Sequence, residues 1–454
     1  MILPISDRSI EAIDGLSLLG QGLSLIRERG LSLSVRGQQT KEILGLSFSI
    51  LVDKAIYILP ERRNNIFATV AECLWVLSGR NDIAWLTHYL PKATDFSDDG
   101  TVWRGGYGPR LRNWGRTPVN LYSFFDKDGD GLDQFKAILE RLHEDLYTRR
   151  AVGVIFDPAL DNCQSKDIPC NDWFQFLVRK DTVGLYHLHC MVTIRSSDFV
   201  WGLTGVNVSF WALLTRILAP YIEKFAGEKV LTGHLTVLLG SSHYYSQMDN
   251  RVQEILDVTN PLCAGRQDDL CRLLVPFPVP QEGLFKGKVL LPGKIPPISQ
   301  YFLYDSGQLF KLVHWAQGLR ELAKFRKHDE PDDRTDSDLS IPELLEMTNE
   351  FGTWSIFAKM FLLWEIHKSS ENRFLWDTKE DLVRVLIEMP NCDLTWAAIE
   401  FLSRSKKKGR QGLWKDPVIQ ERFPKYREYM NLLYGHRPDC FGRNYSREER
   451  QNND

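Results

Sequence analysis

The chain has little of what would commit it to nucleic acid, a bilayer or an oxidising compartment. Its 56 lysines and arginines are offset by 59 aspartates and glutamates, a formal charge of −3. No general positive field is available to grip nucleic acid or an anionic membrane, although a small anion held by a few arginines remains allowed. No apolar run reads as reaching the roughly 18 residues of a membrane span. The opening MILPISDRSIEAIDG carries acids early and lacks a basic start followed by an apolar stretch, which reads against a secretory leader. Eight cysteines without close paired spacing suggest neither a disulfide framework nor a zinc pattern. Reduced, mostly buried thiols in a cytoplasmic protein are expected.

Metal ligands are equally sparse. His187 and His189 share one strand face without further ligands nearby in sequence. DKDGDGLDQFKA begins like a calcium loop, with Asp126, Asp128, Asp130 and Gly131, but its twelfth position is Ala137 where a bidentate carboxylate is required. A turn leading into the next helix is the better reading, and no metal is expected.

What is present is ordinary for a large globular protein: 43% hydrophobic and 25% charged residues. IFATVAECLWVLSG and LDQFKAILERLHEDLY have apolar residues at helical spacing, and VSFWALLTRILAPYIEKFAG reads as a long central helix. AVGVIFDP and WFQFLVRK read as strands, the first continuous and apolar as buried strands are. This predicts an α+β domain over residues 1–290 and a helix plus charged linker over 291–340. A helical module over 341–436 and a polar tail over 437–454 complete the expected order.

Chemistry gathers in the first region. In KDIPCNDWFQF a cysteine stands behind a proline and before an alternating aromatic run. Upstream lie SVRGQQTKE, AECLWVLSG, GGYGPRLRNW and YTRRAVGVIFDP; downstream come TIRSSDFVWGLTGVN and LLGSSHYYSQMDN. Each has an easy structural reading alone, but together and in this order they resemble the thymidylate synthase family, phage-type pyrimidine nucleotide hydroxymethylases included. The resemblance runs from about residue 30 to about residue 250 and leaves the extension uncovered.

The resemblance implies a site. Cys170 would add to C6 of a pyrimidine and make C5 nucleophilic, with Arg195 lowering its pKa and binding phosphate. Glu72 would act as general acid and base through water, and Tyr107 would assist proton removal at C5. Arg36, Arg195 and Ser196 would hold the phosphate from one subunit, with Arg149 and Arg150 reaching in from the other. Asn207 would read the base, His243 and Tyr245 the sugar hydroxyl, while Asp198 and Phe96 would meet the folate. A homodimer with shared sites, a pyrimidine deoxynucleotide monophosphate and 5,10-methylenetetrahydrofolate follow as expected partners and co-substrate.

Four departures bear on the product. Asn171 stands where family synthases carry histidine, Val206 replaces an aromatic residue, and Phe96 replaces an indole. The chain also continues well beyond the short tail whose carboxylate closes the family's folate site. Conversion of deoxyuridylate (dUMP) to thymidylate is the leading expectation, with a hydroxymethyl by-product. A dUMP or dCMP hydroxymethylase is the alternative, and a non-catalytic nucleotide sensor with a helical interaction module is a reading of another class.

Overall fold

A computed structural model describes residues 8–115, 131–263, 267–276, 311–321, 340–369, 379–404 and 412–434. Its centre is a mixed seven-stranded sheet in the order β1-β3-β7-β6-β5-β4, with β2 paired to the far part of β3. The strands are β1 (Ser9–Glu11), β2 (Leu31–Val35), β3 (Gln38–Leu51), β4 (Val152–Val154), β5 (Asn171–Lys180), β6 (Tyr186–Asp198) and β7 (Val230–Tyr245). β6 and β7 run parallel, as do β1 and β3; the remaining pairs are antiparallel.

One face of the sheet is packed. Phe174, Phe176 and Val178 of β5 alternate with exposed or half-buried neighbours, and Leu188, Cys190, Val192 and Ile194 do the same on β6. Helices α1 (Gly15–Arg29), α2 (Ile66–Leu77), α5 (Gln134–Glu144), α7 (Val208–Ala226) and α8 (Asp249–Cys263) contribute to this core. α2 and α7 match the sequence reading, α7 ending at Gly227 with φ 70°. Asp133, inside the expected calcium-like stretch, caps α5 by accepting from Phe135 N and Lys136 N. The earlier acids of that stretch lie outside the described residues.

Two expectations fail. AVGVIFDP yields only the three-residue edge strand β4, on which Val152 and Val154 are 45% and 40% exposed. An apolar run does not distinguish a buried strand from an edge strand facing outward. Phe199–Ala226 is also long and apolar enough to cross a membrane, contrary to the reading of the sequence, but 83% of its apolar window is buried inside the protein.

The small helices α3 (Ile83–Leu86), α4 (Tyr107–Arg112) and α6 (Pro158–Asp161) connect the core elements. After α9 (Gln267–Leu273) and α10 (311–321) comes a helical region: α11 (Ile341–Thr348), α12 (Ser355–Ser369), α13 (Lys379–Ile387), α14 (Asp393–Ser403), α15 (Pro417–Arg422) and α16 (Pro424–Tyr434). It shares one hydrophobic core with the sheet region. Phe67 of α2 packs on Trp364 at 5.5 Å and on Phe401 at 5.2 Å between ring centroids. Arg216 of α7 is paired with Asp393 at 2.9 Å, both almost fully buried. Tyr429 donates to Ile58 O at 3.0 Å.

Candidate active site

Cys170 sits just before β5, where the register slips between Asn171 and Trp173. Its backbone carbonyl accepts from Arg195 N at 2.9 Å. The Arg195 side chain crosses back to donate to Pro169 O at 2.8 Å and Ile168 O at 2.7 Å, leaving Nη2 3.8 Å from Cys170 Sγ. The expected charge is therefore in place, and it pulls the thiol pKa down. Burial outweighs it, with Asp167 and Asp172 adding to the rise, and the thiol is pushed up to about 11.

Asn171 is fully buried and engages three side chains. Its amide donates to the Tyr107 hydroxyl at 2.6 Å and to Asn207 Oδ1 at 2.9 Å, while its own oxygen accepts from Trp211 Nε1 at 2.9 Å. Asn207 Nδ2 has Ser197 Oγ at 3.5 Å. Asn207 closes a π-helical segment, Phe199–Asn207, of the kind often found at functional sites. Buried Arg62 anchors that segment by donating to Val200 O at 3.0 Å and Trp201 O at 3.2 Å. A Cβ on Gly205 would stand 1.9 Å from Arg62 Nη2, so any side chain there would push Arg62 off these bonds.

Glu72 is the one residue of α2 that escapes full burial, turned out of an otherwise apolar helix. Desolvation, reinforced by Asp167, pushes its carboxyl up to about 7. Such a value suits a group that must both take and give a proton near neutrality. Asp167 is also raised by burial, while accepting a short hydrogen bond from Trp103 Nε1. Trp103 stacks on Phe96 with centroids 5.0 Å apart and planes 3° apart.

Arg36 occupies a two-residue turn between β2 and β3, with φ 51° followed by Gly37 at φ 79°. That left-handed conformation is costly for a non-glycine residue, about 1 kcal/mol or more, and is a common companion of function. Its charge opposes the burial-driven rise in pKa of Cys170, Asp167 and Tyr245, which brings it to the site. His243 stands beside Tyr245, ring centroids 5.4 Å apart, and opposite Asp198 across β6 and β7. Ser241 links His243 to Glu42: its hydroxyl is 3.3 Å from His243 Nδ1 and donates a short bond to the Glu42 carboxylate. Asp198 accepts from Val200 N at 2.8 Å and is pushed to about 6 by burial. Ser196 pairs with Ser241 in the ladder and is partly exposed.

Arg149 and Arg150 are not drawn into this cluster. They are exposed just ahead of β4, where Arg149 O accepts from Gln175 Nε2 at 2.7 Å. Sequence reasoning missed Asp167, Trp103, Glu42 and Arg62. Only Asp167 carried a signal, an acid three residues ahead of Cys170 in KDIPC. Among the described residues no group of three His, Cys, Asp or Glu side chains is arranged to hold a metal.

A profile of the family described as thymidylate synthase matches residues 21–262, more than half of the chain. The chain belongs to the thymidylate synthase family. Curated relatives include the deoxyuridylate hydroxymethyltransferase of Bacillus phage SP01, 32% identical over 241 residues, covering 52% of this chain and 60% of the relative. The proteins of the same name from Delftia phage PhiW-14 and Pseudomonas phage M6 are 29% and 30% identical over 211 residues. Those two alignments cover 44% and 46% of this chain. The chain spans about half to three-fifths of the length of these relatives. The matched thymidylate synthase region contains the whole cluster around Cys170, and the C-terminal helices lie outside it.

Proposed function

We propose that the protein transfers a one-carbon unit to C5 of dUMP and releases the 5-hydroxymethyl nucleotide. The observation that carries the choice of base is the Asn171–Asn207 pair at 2.9 Å. With Oδ1 turned toward Asn171 and one amide hydrogen facing Ser197 Oγ at 3.5 Å, the other amide hydrogen of Asn207 donates to O4 of uracil, and a second lone pair on Oδ1 accepts from N3–H. Cytosine reverses both polarities. The hydroxymethyl product is supported by the relatives, which are named deoxyuridylate hydroxymethyltransferases.

Cys170 adds to C6, and its proton leaves as Arg195 stabilises the thiolate. Glu72 shuttles protons at O4 and C5, and the Tyr107 hydroxyl, fixed by Asn171, assists loss of the C5 proton. Arg36, Arg195 and Ser196 hold the phosphate; His243, backed by Ser241 and Glu42, and Tyr245 hold the sugar. The flat Phe96–Trp103 face and the Asp198 carboxyl suit a pterin ring. Methylenetetrahydrofolate bound there would supply the one-carbon unit.

A homodimer completes this reading. Trp173, Met191 and Leu238, with Leu44 and Leu51, leave an apolar outer sheet face between 36% and 56% exposed, as interfaces require. Arg149 and Arg150 beside that face would then serve the partner's site.

The second reading, reduction to thymidylate, is favoured by the Phe96–Trp103 stack, which could shield the intermediate from water. The test is mass spectrometry of product from labelled dUMP and methylenetetrahydrofolate, with dihydrofolate followed in parallel. Hydroxymethyl nucleotide without dihydrofolate is expected. Thymidylate with stoichiometric dihydrofolate would overturn the product. Nucleotide binding without a covalent adduct to a fluorinated analogue would favour a sensor.

A further inference from the structure

Resting on the hydroxymethyl reading, we infer that Asp167 is the base that delivers water to the reacting carbon. Several observations place it for that task. It precedes Cys170 by three residues in a segment held by the Arg195 bonds to Ile168 O and Pro169 O. The same loop is pinned on its other side, where Lys166 Nζ donates to Ser97 O at 2.8 Å and Lys166 N to Asp98 Oδ1 at 2.8 Å. Asp167 Oδ2 accepts from Trp103 Nε1, and a Cβ on Gly105 would lie 2.7 Å from that oxygen. Glycine at 105 thus makes room for the carboxylate. No protein donor among the described residues bonds Oδ1, and the side chain is partly open.

The chemistry calls for a second acid–base group. After one-carbon transfer the nucleotide carries an exocyclic methylene at C5 and a sulfur bond at C6. Water oxygen bonds to the methylene carbon, the C5=CH2 electron pair moves toward O4, and one water proton must be accepted. The O4 enolate then re-forms its carbonyl, the C5=C6 bond closes, and the C6–S bond breaks with its electron pair leaving on Cys170. Glu72 already serves O4 and C5. Asp167 raises the proton affinity of Glu72 and burial raises that of Asp167, so one can hold a proton while the other accepts one. Trp103 bonds one oxygen of Asp167 and lays its ring on Phe96, which leaves Oδ1 to meet water at the edge of the aromatic wall.

The experiment compares wild type with Asp167→Asn and Asp167→Glu on three readouts. These are tritium release from 5-tritiated dUMP, hydroxymethyl product, and the C5 adduct trapped by added 2-mercaptoethanol, a nucleophile that needs no base of this strength. Asp167→Asn is expected to keep tritium release and thiol adduct within about threefold while hydroxymethyl product falls roughly 100-fold, the usual worth of a general base. Asp167→Glu is expected to recover part of the product. Unchanged product in Asp167→Asn, or parallel loss of all three readouts with no recovery in Asp167→Glu, overturns the role. Wild type yielding only thymidylate and dihydrofolate removes the product reading and this inference together.

Discussion

Asn171 holds Asn207 by a 2.9 Å hydrogen bond from its amide to the Asn207 carbonyl oxygen, both side chains buried. Because the other Asn171 hydrogen goes to Tyr107, one side chain orients both the group proposed to read the base and a group proposed to move a proton. Asn171→Leu should therefore do more than lower activity. Trp211 Nε1 loses its buried partner, costing about 1–3 kcal/mol of stability. Asn207 also becomes free to flip. The expected result is weaker discrimination between dUMP and dCMP, measured as the ratio of kcat/KM values.

Asn207→Asp keeps an acceptor for Asn171 and removes the donor to O4. Turnover of dUMP should fall about 100-fold or more, since a buried polar group is left mispaired, and turnover of dCMP should rise. A wild type that already prefers dCMP would count against this role of Asn207.

Glu72 offers a pH test with a definite sign. Its folded pKa, about 7, lies above the ordinary 4.5, so the folded chain binds this proton more tightly than the unfolded chain does. Its contribution to stability is full below about 4.5 and is lost as pH rises through about 7. Glu72→Gln should therefore stabilise the protein by about 1–3 kcal/mol at about pH 8, with little gain at about pH 5. Turnover should disappear in the same variant. Thermal melts at the two pH values check the first expectation and steady-state rates the second.

The raised Cys170 thiol predicts slow alkylation of the free enzyme. Modification by iodoacetamide should be slow at neutral pH and climb about tenfold per pH unit toward about 11. Arg195→Ala removes the largest opposing charge and should slow it further. Exposed Cys163 also reacts, so the rate must be read on the Cys170 peptide. A neutral-pH rate matching that of Cys163 would refute the raised thiol.

The Arg216–Asp393 pair ties the C-terminal helices to α7. Asp393→Ala leaves a buried guanidinium without its buried partner, although half-exposed Asp53 stays 3.4 Å away and Val52 O still accepts from it at 3.1 Å. A loss of about 3–5 kcal/mol is expected in chemical denaturation. Arg216→Met with Asp393→Leu should be milder, because the one carboxylate left without its arginine, Asp53, is 43% exposed to solvent. Equal losses in both variants would show that packing, not charge, is at stake.

Much of this was legible along the chain. The apolar period and glycine stops of α2 and α7 are local signals, and β5 follows from its alternation. Cys170, Glu72, Arg195 and Asn207 were legible as candidates through the family resemblance, which lies in residue type and order. The edge position of β4 was not, since whether an apolar strand faces core or outside depends on what packs beside it.

Tertiary structure decided the rest because contact and burial belong to the folded arrangement. Asp167 and Glu72 are far apart in sequence, with no periodicity relating them, yet the fold sets their charges against each other. Arg195 was predictable as a neighbour of Cys170, but whether its charge or desolvation wins is a matter of how much water the site admits. The C-terminal helices read as a separate module from their charged connection, and only the packing of Phe67 on Trp364 and Phe401 joined them to the helix that carries Glu72. Sequence order supplied the candidate groups; burial and proximity, which arise only when distant segments meet, set their proton affinities and their neighbours.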